Sequence, residues 1–497
     1  MPNSRLTATL SAVLFLTACS SGLFGGSGDS EDTGHSNQDP SISLGDIFGQ
    51  PGKGGAPAHT ASNDNGGLGL TLGDLLGYSG GTGQALVVGD EPFAVRVGAS
   101  VLAEGGNAAD AASAMYFALA VTYPVSASLG AGGICVVHNP EGRNRSIDFL
   151  VRDPASHGTF GVPGTVAGIA QMQHAYGSLP WARVVSPAEA LAAAGFPISQ
   201  ALDARLRGAQ DAIRLDADLA HEFLDESGNV KPAGTVVSNQ GLASTLDAIR
   251  MQGASGFYKG AIAQKIAAYS AQQGGGPSMP ELGAYMANDQ SAQSITVGQG
   301  EIYLPSANVG AGQFQAKIYP QLLDADGHPV SDLDPAVNQA LANTMREFGV
   351  ANLPQDLGST GFAATDGAGQ AVACAITMNG PFGSGHTVEG TGITLANAPS
   401  VGQAGLASAF LAPAVATPPD GSVALAGAGA GGPTGTAAIA YAAMTLAGGG
   451  DVTKPGDLRA VAGKMPYDTV NVITCDNGIC AVLPDPNGHG LGSIARQ

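Results

Sequence analysis

Ser359-Thr-Gly-Phe-Ala-Ala-Thr-Asp366, followed after a short turn by Gly369-Gln-Ala-Val372, is the stretch whose reading decides the architecture. It opens a C-terminal part, from Gly358 onward, of short apolar runs separated by glycine-rich turns. Such runs read as strands, with one Ala-rich helix over residues 434–446. Upstream the texture is helical. Residues 93–103 end at Gly105-Gly106, and Asn107 caps a helix over 108–121, with Asp110 in its first turn and Pro124 past its end. Gly130-Ala-Gly-Gly133 bends the chain into a strand over 134–138, and residues 139–145 turn it back into a strand over 146–151. Helical segments follow at 166–176, 187–194, 240–252 and 261–270. Helices gathered ahead of strands predict an α+β layered fold rather than a doubly wound sheet. By itself, a serine after Gly358 reads as a turn or capping residue.

The 497 residues allow one large domain or two to three ordinary ones. Hydrophobic residues make up 44% of the chain, enough for a core. Gly (75) and Pro (30) together form about a fifth, below the roughly 25–30% of low-complexity chains. Only 12% of residues are charged, and the net charge is −20. Phosphate neutralisation needs clustered cations, so a nucleic-acid partner is excluded. A coiled coil, a collagen and a polytopic membrane protein are excluded as well, and the acidic balance reads as a solubility device. The nine His are scattered without a metal-ligand spacing, so no metal site is expected. Asp324-Ala-Asp326-Gly327-His328 reads as a turn. Gly427-Ala-Gly-Ala-Gly-Gly432 lacks the Lys of a phosphate loop.

The N-terminus carries Arg5 and then an apolar run over 6–16, too short to span a bilayer of roughly 30 Å and readable as a signal segment. Leu16-Thr-Ala-Cys19 resembles the lipobox of bacterial lipoproteins. The resemblance implies cleavage before Cys19 and a lipid thioether on it, whereas the bare alternative is a secretory signal with a chance cysteine. Ser20 after it resembles the outer-membrane sorting signal, which implies a lipid-anchored protein of the cell envelope facing the periplasm or surface. Residues 20–83, rich in Gly, Ser, Asp and Asn, read as a flexible tether to a folded body over 84–497. Cys475-Asp-Asn-Gly-Ile-Cys480 brackets an Asn-Gly hairpin signal, and in an exported protein a Cys475–Cys480 disulfide is expected. Cys135 and Cys374, in apolar strands, read as buried bystanders.

Several segments, in this order, resemble the gamma-glutamyltransferase (gamma-glutamyltranspeptidase, glutathione hydrolase) family of N-terminal nucleophile hydrolases. They are Leu102-Ala-Glu-Gly-Gly-Asn-Ala-Ala-Asp-Ala-Ala112, Leu129-Gly-Ala-Gly-Gly133, Val162-Pro-Gly-Thr-Val-Ala-Gly168, Gly256-Phe-Tyr-Lys-Gly260, Phe382-Gly-Ser-Gly385 and Gly390-Thr-Gly392. The resemblance implies a four-layer αββα sandwich that cuts itself into two subunits, here residues 84–358 and 359–497. The cut exposes a hydroxyl nucleophile whose own α-amine is the base. An α-amine titrates near ~7.7–8.0, so much of it is unprotonated at neutral pH. The family's register puts Ser359 at the nucleophile position, where the family has Thr, and Thr360 and Gly361 after it. Thr377-Met-Asn379 matches a Thr that orients the nucleophile and an Asn that contacts substrate. Gly431-Gly432 matches the pair whose amides form the oxyanion hole. No cofactor is implied, and the implied partner is a small-molecule amide or gamma-glutamyl-like substrate.

Departures accompany the match. The substrate-carboxylate Arg, expected after Asp148-Phe149, is replaced by Leu150, with Arg152 two positions on. The family's substrate-reading Gln and Asp fall on Ala398 and Val401, and its Ser pair falls near Ala412-Pro413. Two readings follow. One is an exported, lipid-anchored amidohydrolase or acyltransferase with Ser359 as nucleophile. The other is an inactive lipoprotein that keeps the sandwich as a binding or structural module.

Overall fold

The structure, a computed structural model, describes residues 84–452, 467–476, 479–486 and 488–495. The signal segment with Cys19, the tether over 20–83 and the Asn477-Gly478 turn lie outside the described residues. In chain order the strands are β1 (Ala85–Gly89), β2 (Gly132–Asn139), β3 (Arg143–Asp148), β4 (Phe196–Pro197), β5 (Val236–Val237), β6 (Asn288–Ser291), β7 (Gln293–Val297), β8 (Gly300–Leu304) and β9 (Ser359–Thr365). They continue with β10 (Ala371–Thr377), β11 (Thr387–Val388), β12 (Ile393–Thr394), β13 (Ala412–Thr417), β14 (Leu425–Ala430), β15 (Thr469–Asp476), β16 (Ile479–Leu483) and β17 (Leu491–Ala495). Two antiparallel sheets dominate, ordered β17-β1-β9-β10-β2-β3-β6 and β16-β15-β14-β13-β8-β7.

The sheets stack face to face because their central strands carry little bulk. All seven residues of β9 and all seven of β10 are buried. A Cβ on Gly361 of β9 would stand 2.9 Å from the Ala428 Cβ of β14. On the outer side of β14, a Cβ on Gly429 would stand 2.1 Å from the Gly435 carbonyl oxygen in the helix Pro433–Ala447. The abundance of Gly and Ala is therefore what lets sheet, sheet and helix approach this closely.

Helices close both outer faces. Over the first sheet lies Ala108–Thr122, all of whose residues are buried. It starts at a reciprocal cap in which Asp110 N donates to Asn107 Oδ1 and Asn107 N donates to Asp110 Oδ2. The helix Trp181–Ala194 packs on it, with the Trp181 ring against Phe117. Pro433–Ala447 covers the second sheet, and Leu333–Glu347 packs against that helix. The result is the α+β, four-layer αββα sandwich that the sequence implied.

Local differences have local causes. Trp181–Ala194 begins six residues earlier than expected and keeps Pro187 in its interior. The strand expected at 146–151 is Arg143–Asp148, since Leu150 N donates to Asp148 Oδ1 and turns the chain away. Leu333–Glu347 is a further helix, which buries Val337, Ala340, Leu341 and Thr344 as an i, i+3, i+4, i+7 stripe. The larger correction concerns Cys135 and Cys374, which are not bystanders. They stand opposite each other in the β2–β10 register and are joined in a disulfide. Their separation of 239 residues hid a pairing that only strand register creates. Cys475 and Cys480 are likewise joined across β15 and β16.

Glu91 ties the first sheet to its helices. Its carboxylate caps Pro92–Ala103 through Ala94 N and accepts from Thr122 Oγ1. Burial pushes it from the usual 4.5 up to about 7, against the pull of those hydrogen bonds. The folded state therefore holds this proton where the unfolded chain has lost it, and stability falls as pH rises from about 4.5 to about 7. Thermal melts at pH 5 and pH 8 are expected to show a loss on going to pH 8 that shrinks in Glu91→Gln. An undiminished loss in the variant would contradict the assignment.

Candidate functional site

The antiparallel ladder between β9 and β10 places Ser359 directly opposite Thr377. Ser359 Oγ donates to Thr377 Oγ1 at 3.0 Å, and Asn379 N donates to the same oxygen at 2.9 Å. With both lone-pair directions used, the Thr377 hydroxyl proton faces the Leu357 and Gly358 carbonyl oxygens, 3.3 and 3.4 Å away. The Gly358 carbonyl, which belongs to the peptide bond ahead of Ser359, also accepts from Met378 N at 2.9 Å. That carbonyl is thus polarised by two donors, while the hydroxyl of the next residue is held by an oriented partner. Ser359 and Thr377 are each only 1% exposed.

The segment entering Ser359 is anchored. Gly358 has φ +62°, and a Cβ there would fall 1.9 Å from the Gly380 carbonyl oxygen, so no other residue fits. Gly358 N donates to Asp356 Oδ1 at 2.7 Å. Arg205 clamps the same carboxylate through Nη2, at 2.7 and 3.0 Å, and lies against the rings of Tyr123 and Tyr467. Burial alone would push the Arg205 guanidinium down, but Asp356 beside it holds it above the ordinary range. Below β9, the buried Asp90 accepts from Thr360 Oγ1 at 2.7 Å and from Asn471 Nδ2 at 2.7 Å. Asn471 Nδ2 also donates to the Gly361 carbonyl at 2.9 Å. Burial pushes the Asp90 carboxyl up, and the bonds from Thr360 and Asn471 pull it back. Asp90, Arg205, Asp356 and Asn471 were not among the residues singled out from sequence. Only Asp356-Leu-Gly358 carried a signal, as an Asp that caps the amide two residues on.

Asn379 lies beyond β10 with φ +58°. Its Nδ2 donates to the Asn397 carbonyl, and Asn397 Nδ2 returns the bond to the Asn379 carbonyl. The Asn379 Oδ1 is buried with no partner among the described residues. Gly431 (φ +89°) and Gly432 follow β14 and precede the helix Pro433–Ala447. Asp468 sits against them: its Oδ1 would be 2.5 Å from a Cβ on Gly432, and its Oδ2 accepts from Thr434 N and Oγ1. Burial pushes Asp468 up to about 6. Arg152 is exposed, donates to the Met286 carbonyl and lies over the Tyr285 ring, and none of its bonds reaches Ser359, Thr377 or Asn379. Ala398 is buried and bonds through its backbone to Thr159, Val401 lies at the surface, and Ala412-Pro413 is part of β13. A cleft lined in part by Asp218, Glu222, Asn239, Thr387 and Thr394 includes none of the residues around Ser359.

The family described as Gamma-glutamyltranspeptidase matches residues 94–318. The chain is similar to the gamma-glutamyltranspeptidase family over these residues. It is 33% identical over 229 residues to a glutathione hydrolase proenzyme of Escherichia coli K12, covering 42% of this chain and 40% of that protein. It is 28% identical over 381 residues to a glutathione hydrolase proenzyme of Pseudomonas aeruginosa, covering 63% of this chain and 67% of that one. The chain thus spans about two fifths of the length of several of these relatives. In structure it is similar to a cephalosporin acylase from Bacillus halodurans, with a TM-score of 0.68, 20% identity, and coverage of 83% of this chain and 96% of that one. This likeness shows the fold, which is that of the N-terminal nucleophile hydrolases. The family match ends at residue 318, ahead of Ser359 and the β9–β10 ladder.

Thr377→Val keeps the shape and removes the hydroxyl, leaving Asn379 N unpaired. At about 1–3 kcal/mol for such a buried loss, any reaction at Ser359 is expected to slow about 5–150-fold, with the melting curve still cooperative. A time course of fragment formation by intact mass measures this, and an unchanged rate would remove Thr377 from the site.

Proposed function

We propose that the chain is an amidohydrolase or acyltransferase of the gamma-glutamyltranspeptidase type, activated by its own cleavage between Gly358 and Ser359. The observation that carries this reading is the pair of contacts around one peptide bond. Ser359 Oγ is bonded to Thr377 Oγ1, and the Gly358 carbonyl is bonded by Met378 N. In the cleavage, Ser359 Oγ adds to the Gly358 carbonyl carbon and its proton passes toward the leaving nitrogen. The C–N bond breaks and leaves an ester, which water hydrolyses to a Gly358 carboxylate and a free Ser359 amine. Met378 N and Thr377 Oγ1 lie where charge develops on the Gly358 oxygen.

Once free, the Ser359 amine is the base for its own hydroxyl, as a weakly basic α-amine can be at neutral pH. Departure of the 356–358 segment uncovers the serine, whose oxygen otherwise faces the Leu357 carbonyl at 3.3 Å. Gly431 and Gly432 are assigned to the oxyanion, supported by their place just ahead of a helix N-terminus. Asn379 Oδ1, a buried acceptor without a partner among the described residues, suits a donor on the substrate. With Arg152 held at Met286 and Ala398 and Val401 unable to bind charge, the substrate is an amide less polar than a gamma-glutamyl peptide. The same replacements are what an inactive binding module would show, and cleavage separates the two readings. The N-terminal segment through Cys19 is proposed to export the protein and anchor it by lipid to the envelope.

Ser359→Ala is expected to remain one polypeptide and to lose all hydrolysis, whereas Ser359→Thr still cuts. A gamma-glutamyl anilide is expected to be turned over little or not at all by the wild type. Wild type and Ser359→Ala behaving alike on a reducing gel would contradict the proposal and leave the inactive module.

A further inference from the structure

The cut proposed above divides the first sheet between two chains. β9 and β10 come after Gly358, while β1 and β2, which flank them, come before it. Hydrogen bonds and packing alone would then hold the nucleophile's strand pair in place. Cys135 lies on β2 and Cys374 on β10, opposite each other and fully buried, and they are bonded. Cys475 and Cys480 both lie after the cut, so their disulfide cannot join the parts.

We propose that the Cys135–Cys374 disulfide is an intersubunit staple that keeps the self-cleaved protein one covalent molecule. The inference rests on the proposed cut at Gly358–Ser359. Cys374 is three residues from Thr377 on the same strand, so the staple pins the strand that orients the nucleophile to a strand of the other subunit. Formation requires the two thiols to give up two protons and two electrons to a dithiol–disulfide oxidant of the export compartment, which is reduced to its dithiol. Both sulfurs are shut off from solvent once the sheets have closed, so the bond forms during folding and resists reduction afterwards. Separation of the subunits then becomes an intramolecular event, with an effective concentration that keeps the site assembled at any dilution.

One digest of the purified, alkylated wild-type protein tests the staple and the cut separately. Trypsin without reductant releases Cys135 in a peptide over residues 97–143 and Cys374 in a peptide ending at Arg459. That second peptide starts at residue 347 in an uncut chain and at Ser359 in a cut one. The expected result is 97–143 linked to 359–459 in essentially all molecules. On denaturing gels the protein then runs as one band without reductant and as two with it. Cys374→Ala is expected to give two bands in both lanes, and the wild-type map stands where that variant fails to fold. Unlinked peptides, with both cysteines alkylated, would overturn the staple whatever the state of the cut. Linked peptides that all start at residue 347 would overturn the two-chain molecule through failure of the cut, and would mark the proposed function as the premise at fault.

Discussion

The register between β9 and β10 is the constraint on which the rest of the site depends. Ser359 and Thr377 face each other at one end of a seven-residue ladder that is buried along its whole length. A slip of one residue would turn every side chain to the other face and part the two hydroxyls. The register is fixed independently from several sides. Asp90 and Asn471 hold Thr360 and Gly361, and the Asp356–Arg205 pair holds Gly358. The Cys135–Cys374 bond fastens β10 to its other neighbour. A buried Asp or Arg is costly unless paired, and here both are paired with groups that position β9 or the segment entering it.

Small side chains make that arrangement possible. Gly361 over Ala428 and Gly429 under Gly435 bring two sheets and a helix close enough for Asn471, on the second sheet, to bond the backbone of the first. The glycine-rich composition is therefore a packing requirement of the layers. Larger residues in these strands would separate Asn471 from Gly361 before they filled any void.

Sequence periodicity and caps made the layers legible. Asn107 and Asp110 mark a helix start, the glycine turns mark the strands of the C-terminal part, and the family resemblance points to Ser359, Thr377, Asn379 and Gly431-Gly432 as candidates. What stayed hidden was long-range. Arg205 meets Asp356 from 151 residues away, and Asp90 meets Asn471 from 381. Cys135 and Cys374 are adjacent only through a crossing of the sheet. No local pattern in a single chain encodes such partners, because each is chosen by topology. The Leu333–Glu347 stripe, by contrast, is local and is carried by the sequence itself.

Amino-terminal sequencing of the reduced, separated polypeptides addresses the central claim most directly. The account predicts a second sequence beginning Ser-Thr-Gly-Phe-Ala-Ala-Thr, in amounts equal to the chain that precedes it. A single sequence from an unbroken chain, persisting after prolonged incubation at neutral pH, would contradict it.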